Sequence, residues 1–215
     1  MQRRAFLTSL GTAATGVAAA PLALASADTV APSQRIAPPP TPRARLLPNV
    51  RLRTQDNQEV RLYEDLLKDK IFMINMFFVT CTDGVCPMAT ANLAKVQPLI
   101  GSRLGKDIFM YSITLDPVRD THESLKAYSA LFQPKPGWLF LTGERDDIER
   151  LRRALGYWDP DPKRDAIKTT HAGMAMLGNE PLDRWTGCPT RAAPREIWRV
   201  LSYLDWPKGW RNSRA

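Results

Sequence analysis

The stretch Ile71–Pro87, IFMINMFFVTCTDGVCP, decides the fold. Its first nine residues, Ile71 to Val79, are almost continuously apolar, as a central strand buried on both faces should be. The strand runs directly into Thr80-Cys81-Thr82-Asp83-Gly84-Val85-Cys86-Pro87. Proline is a preferred first helical residue, so Pro87 marks a helix start and puts Cys86 near its N-cap. Backbone amides and the helix dipole there favour a thiolate, and should lower the Cys86 pKa from about 8.5. Five residues of helix turn through about 500°, leaving the first and last side chains roughly 140° apart. Cys81 and Cys86 therefore converge only if residues 81–85 form a loop, for which Asp83-Gly84 supplies the turn chemistry.

Upstream, Val50 and Leu52, then Val60 and Leu62, alternate around Asp56-Asn57 and predict a hairpin. Tyr63 to Lys68 is a short helical or turn segment. Downstream, Met88 to Leu104 predicts a helix that Pro98 kinks or breaks. Ile108 to Ile113 reads as a second buried strand. Asp120, three residues before Glu123, is the expected N-cap of a helix with Leu125, Tyr128 and Phe132 on one face. Trp138 to Leu141 is a third strand, and Ile148, Leu151 and Leu155 form the next helical stripe. Lys168 to Leu177 is a fourth strand carrying His171, turning at Gly178-Asn179. Pro194 to Tyr203 closes the pattern with a helix. The alternation predicts an α/β sheet flanked by helices on both faces, with an N-terminal hairpin. A dithiol between a buried strand and the next helix makes that sheet thioredoxin-like.

The chain has 215 residues, which allows one domain with appendages. Residues 1–27 read as a signal peptide: Arg3-Arg4-Ala5-Phe6-Leu7 resembles the twin-arginine export type, and Ala23 to Ala27 offers small residues for cleavage. An uncleaved membrane tether is the alternative, although the apolar run is short for a span of about 20 residues. Residues 28–48 hold six prolines, including Pro38-Pro39-Pro40, and read as an extended linker. The domain is expected over 49–205, with a tail over 206–215. The expected location is the periplasm or another exported compartment, with no stable span after cleavage. The net charge of +8 loses two arginines with the signal, leaving a scattered +6 with no run of five like charges. That pattern argues against a nucleic-acid partner.

Three cysteines and two histidines exclude a disulfide-dense mini-protein and a multi-zinc scaffold. Two thiols on a loop and an imidazole from a later strand, Cys81, Cys86 and His171, make a Cys2His set. Soft thiolates select Cu(I), and imidazole also suits copper. A structural zinc usually needs four ligands, and only His122 or Cys188 remains to supply one. The blander readings stay open: Cys81 and Cys86 as a structural or redox disulfide, His171 as an ordinary strand histidine, and Met88, Met174 and Met176 as core. Cys188, in Thr186-Gly187-Cys188-Pro189, reads as a loop cysteine without a role, and His122 as a surface residue.

From Asn49 to Tyr203 the chain resembles the Sco/SenC family of thioredoxin-fold copper chaperones. The landmarks are the apolar strand into Cys81…Cys86-Pro87, then Ser112-Ile113-Thr114-Leu115-Asp116-Pro117-Val118-Arg119-Asp120-Thr121 and Leu125-Lys126-Ala127-Tyr128. Gly137-Trp138-Leu139-Phe140-Leu141-Thr142-Gly143 and the late His171 complete them. The resemblance implies that Cys81, Cys86 and His171 bind one copper ion, Cu(I) or Cu(II). The copper would pass to a copper-enzyme subunit, as in cytochrome oxidase assembly, or to another copper chaperone. It also implies an alternative, thiol–disulfide oxidoreductase action on an exported partner, in which Cys81 and Cys86 would be the catalytic pair. Two departures stand out. Four residues separate the cysteines where the family usually has three, and Thr170 stands where an aspartate usually precedes the histidine.

Overall fold

Ile71–Phe77 forms β3, with all seven residues buried, because it is paired along both edges and covered on both faces. It runs parallel to β4 (Ile108–Thr114) and antiparallel to β6 (Met174–Asn179). Beyond β4 lies β5 (Trp138–Gly143), parallel to it, followed by the antiparallel hairpin of β1 (Arg51–Thr54) and β2 (Glu59–Arg61). Beyond β6 lies β7 (Arg184–Pro189), also antiparallel. The seven-stranded order is β2-β1-β5-β4-β3-β6-β7. This computed structural model describes residues 40–205, within a unit spanning Pro39–Ala215. The expected signal peptide, most of the 28–48 linker and the 206–215 tail lie outside the described residues.

Among the described residues, six α-helices flank the sheet, with a π-helical turn at Leu62–Leu67. α1 (Val85–Ala94) follows the cysteine loop, and α2 (Gln97–Ile100) carries Pro98 in its first turn. The predicted 88–104 helix is thus broken at Lys95-Val96, just ahead of the proline, which has no N–H to continue it. α3 (His122–Ala130) and α4 (Arg145–Ala154) pack against β5. α5 (Pro162–Asp165) is a single turn, and α6 (Pro194–Leu204) packs on β6 and β7. Phe72, Phe77, Tyr111, Trp138 and Phe140 are fully buried and anchor the core. Each such side chain contributes about 1.5–3 kcal/mol by leaving water. Trp138 meets its polar need inside the core, donating Nε1–H to Ser112 Oγ at 3.0 Å, which in turn bonds Asn75 Oδ1 at 2.8 Å.

Several local readings change, among them the turn expected at Gly178-Asn179, which both continue strand β6. Thr121, not Asp120, caps α3: its hydroxyl accepts from Ser124 N. Asp120 is drawn inward instead, 1% exposed, for a reason given below. His171 does not sit on a strand. It ends a 3-10 turn, Lys168–His171, and β6 begins only at Met174. The segment around Cys188 is strand β7 rather than a loop, and Cys188 is buried opposite Ala175. Gly187 and Pro189 made it read as a loop, but an edge strand tolerates both. Finally, the linker's last residues are already packed: Ala44 is buried in a 3-10 turn, Ala44–Leu46.

Candidate metal centre

The site lies where β3 ends and α1 begins. Phe77 O accepts the Leu115 amide at 2.7 Å, holding the ends of β3 and β4 together. The chain then leaves the sheet at Val79, whose N–H donates to Asp120 Oδ2 at 3.0 Å. The same oxygen accepts from Thr114 Oγ1 at 2.5 Å. One buried carboxylate therefore ties the start of the cysteine loop to the end of β4, which is why Asp120 faces inward. Burial outweighs these bonds and holds its pKa above the ordinary 3.8.

The loop closes as its turn chemistry predicts. Gly84 caps α1 at φ +76°, a left-handed conformation that glycine adopts without strain. Asp83 Oδ1 accepts from Val85 N at 3.1 Å and from Cys81 Sγ at 2.9 Å. Cys81 Sγ in turn accepts the Cys86 N–H at 3.3 Å. Both cysteines are free thiols, Cys81 partly exposed and Cys86 fully buried. Behind them, Thr90 Oγ1 donates to Cys86 O at 2.9 Å and lies 3.0 Å from the Tyr128 hydroxyl. Burial pushes the Tyr128 hydroxyl up to about 12.

The expected lowering of the Cys86 pKa is not found. Cys86 is the second residue of α1, but burial, reinforced by the hydrogen bond with Cys81, pushes its thiol well above the usual range. The amide field is outweighed because the sulfur has no water around it. A thiolate there needs a cation, such as a soft metal ion, to replace the lost hydration.

His171 does not converge with the two cysteines on a common metal-binding point. Its Nε2 lies 3.0 Å from Asp165 O and 3.4 Å from Asp165 Oδ1. Asp165 is itself gripped by Arg152 at 2.7 Å and Arg153 at 3.0 Å, and Arg152 holds its carboxyl far below the ordinary range. The histidine turn meets the neighbouring loops at two points. Lys168 Nζ pairs with Asp116 at 2.9 Å, and Thr169 lies beside Asp83 of the cysteine loop. Thr170 bonds only its own turn, at Ile167 O. Among the described residues no three His, Cys, Asp or Glu side chains converge as a metal-binding group.

The structure thus brings Cys81 and Cys86 together and leaves His171 bonded to Asp165, on a turn that lies beside Asp83 of the cysteine loop. His122 sits apart, beside Glu123 at the start of α3. Asp83 was legible only as a turn residue, and its bond to Cys81 is an outcome of the closed loop. Asp165 had no local signal at all: it provides the carboxylate beside His171 that Thr170 does not. A histidine whose Nε2–H is donated to a carbonyl or carboxylate keeps Nδ1 as its metal-binding nitrogen.

Comparison with known proteins follows the same outline. The SCO1/SenC family model matches residues 41–201. A Stutzerimonas stutzeri protein named for copper binding is 29% identical over 115 residues, 54% of each chain. The matches span about half or less of the curated relatives' lengths, from 30% to 54% for the first four. A Bacillus anthracis SCO1/SenC family lipoprotein superposes with a TM-score of 0.60 at 23% identity, over 74% of this chain and 94% of that one. Bradyrhizobium japonicum ScoI with copper bound gives 0.56 at 22% identity, over 72% and 96%. At these identities the structural likeness is one of fold, the thioredoxin-like sheet. With the family model covering the cysteine loop, the histidine turn and nearly the whole domain, the chain belongs to the SCO1/SenC family.

Proposed function

We propose that the protein is a copper chaperone. It takes up one copper ion on Cys81, Cys86 and His171 and passes it to a copper-enzyme subunit, in the manner of cytochrome oxidase assembly, or to another chaperone. The observation that carries this reading is the preassembled thiol pair at the start of α1, where Cys81 Sγ accepts the Cys86 N–H and bonds Asp83. A buried thiol with a raised pKa binds a soft cation in exchange for its proton, and Cu(I) is the soft cation that two thiolates and an imidazole favour. Family membership and the copper-bound relative support the same cargo. Loading brings Cys81, Cys86 and His171, which do not yet converge, onto one ion. Export by a twin-arginine signal fits a chaperone of exported copper enzymes; no described helix is long and apolar enough to cross a membrane.

Copper titration of the reduced protein, read by chelator competition and X-ray absorption, tests the reading. It expects one copper per chain with sulfur and nitrogen neighbours, and weaker binding in Cys81→Ser and His171→Ala. Equal binding by the wild type and both variants refutes it.

One observation favours a second reading, thiol–disulfide exchange: the two thiols meet while His171 stands aside. In that reaction Cys81, the more accessible sulfur, attacks a partner disulfide as thiolate and releases one partner thiolate. Cys86 then displaces the second, so two electrons pass from the dithiol to the partner. This route needs no His171. A His171→Ala protein that loses function in the cell with its dithiol potential unchanged would exclude it.

A further inference from the structure

Met174 and Met176 are two residues apart on β6, and strand alternation puts them on one face, with the buried Ala175 and Leu177 on the other. Met174 is 43% exposed, in contrast to the usual burial of methionine, and Met176 is partly buried. Their face is open because Gly187 stands opposite Met176 on β7. A Cβ at Gly187 would come within 3.3 Å of Met174 Cε. The two methionines line a cleft of about 330 Å³ together with His171, Tyr157 and Trp158. Neither Cys81 nor Cys86 lines it. The cation in the cleft, Arg164, is paired with Asp159 at 3.3 Å.

His171 thus lines the same cleft as the two thioethers, while the proposed copper site would join it to the two thiols. Thioether and imidazole are neutral donors that suit Cu(I). Methionine's three rotatable bonds let two sulfurs on one strand face converge on a shared ion without backbone movement. We propose that Met174, Met176 and His171 form a second soft-metal site, a Cu(I) way-station separate from the cysteine pair. Its neutral donors hold copper less tightly than two thiolates. The site therefore acts as an acceptor on the way to the thiols, or as a donor toward a partner. Transfer between the two sites is ligand exchange at copper(I): bonds to thioethers and thiolates trade places, the thiols release their protons to water, and no electron moves. The inference rests on the copper reading only for the identity of the metal.

The test uses the full chain with Cys81→Ser, Cys86→Ser and Cys188→Ala, labelled at the methionine methyl carbons and titrated with Ag(I), a diamagnetic thiophilic ion of the same charge. The methyl spectrum before metal addition reports folding. If the triple variant does not fold, the double variant that keeps Cys188 gives the same readout. The ε-methyl signals of Met174 and Met176 are expected to shift and saturate at one Ag(I) per chain, while those of buried Met73, Met76 and Met110 stay in place. Met174→Leu is expected to abolish the shift at Met176, and His171→Ala to weaken binding. Unmoved Met174 and Met176 signals overturn the proposal, and leave the chaperone reading intact if the wild type still loads copper on its thiols. Conversely, shifted methionines in a protein whose wild type loads no copper on its thiols would overturn the chaperone reading and leave this site standing.

Discussion

Asp120 is the residue whose removal most directly tests how the fold positions the metal centre. Its Oδ2 accepts from Val79 N and Thr114 Oγ1, both inside the protein, and its Oδ1 is buried without a partner. Asp120→Ala deletes both acceptors and strands two donors. At about 1–3 kcal/mol per unsatisfied buried donor, less what the Thr114 hydroxyl recovers by rotating, the expected cost is about 2–4 kcal/mol. Asp120→Asn keeps one oxygen for both bonds and puts its NH2 where the partnerless oxygen was, so it should cost clearly less. The pH dependence separates the two forms further. Asp120 titrates above its ordinary value when folded, so its contribution is full below about 3.8 and is lost as pH rises through the folded pKa. Asparagine has no such loss, and Asp120→Asn should therefore gain on the wild type between pH 3 and pH 7. Urea unfolding at both pH values reads these differences. Because Val79 lies two residues before Cys81, chelator competition should also find weaker copper binding in Asp120→Ala. An Asp120→Ala protein with the wild-type urea midpoint and copper affinity would refute the reasoning.

Two further outcomes follow from the same geometry. Iodoacetamide should alkylate Cys81 well before Cys86 in the native reduced protein, because Cys81 is partly exposed and the buried Cys86 thiol is held protonated; peptide mass spectrometry that finds Cys86 modified first would contradict the described loop. Asp165, held low by Arg152, contributes stability that is fully present above about 3.8 and is lost as pH falls toward its depressed folded value. Acid unfolding should therefore separate wild type from Asp165→Asn at neutral pH and bring them together in acid, and a constant gap would show that the Arg152 pair does not matter.

Periodicity and punctuation made most of the scaffold legible. The Ile71–Val79 run, the hairpin about Asp56-Asn57 and the stripe Ile148, Leu151, Leu155 are signals carried by neighbouring residues, and they became β3, β1–β2 and α4. The cysteine loop was legible for the same reason: Asp83-Gly84 turns the chain locally. Asp120 misled because its spacing to Glu123 satisfies a cap rule, while a buried amide from Val79 outcompeted the cap. Strand β7 was hidden because Gly187 and Pro189 signal a loop unless a neighbour such as β6 supplies a ladder.

The sequence by itself determined the donor inventory, the strand that delivers Cys81 and Cys86, and the turn that lets them meet, since all of these depend on short-range chain geometry. Only the tertiary structure decided where His171 points, which carboxylate sits beside it, and that burial overrides the helix terminus at Cys86. Those outcomes depend on partners such as Asp165 and Arg152 and on exclusion of water by the packed sheet. Distance along the chain carries no information about either.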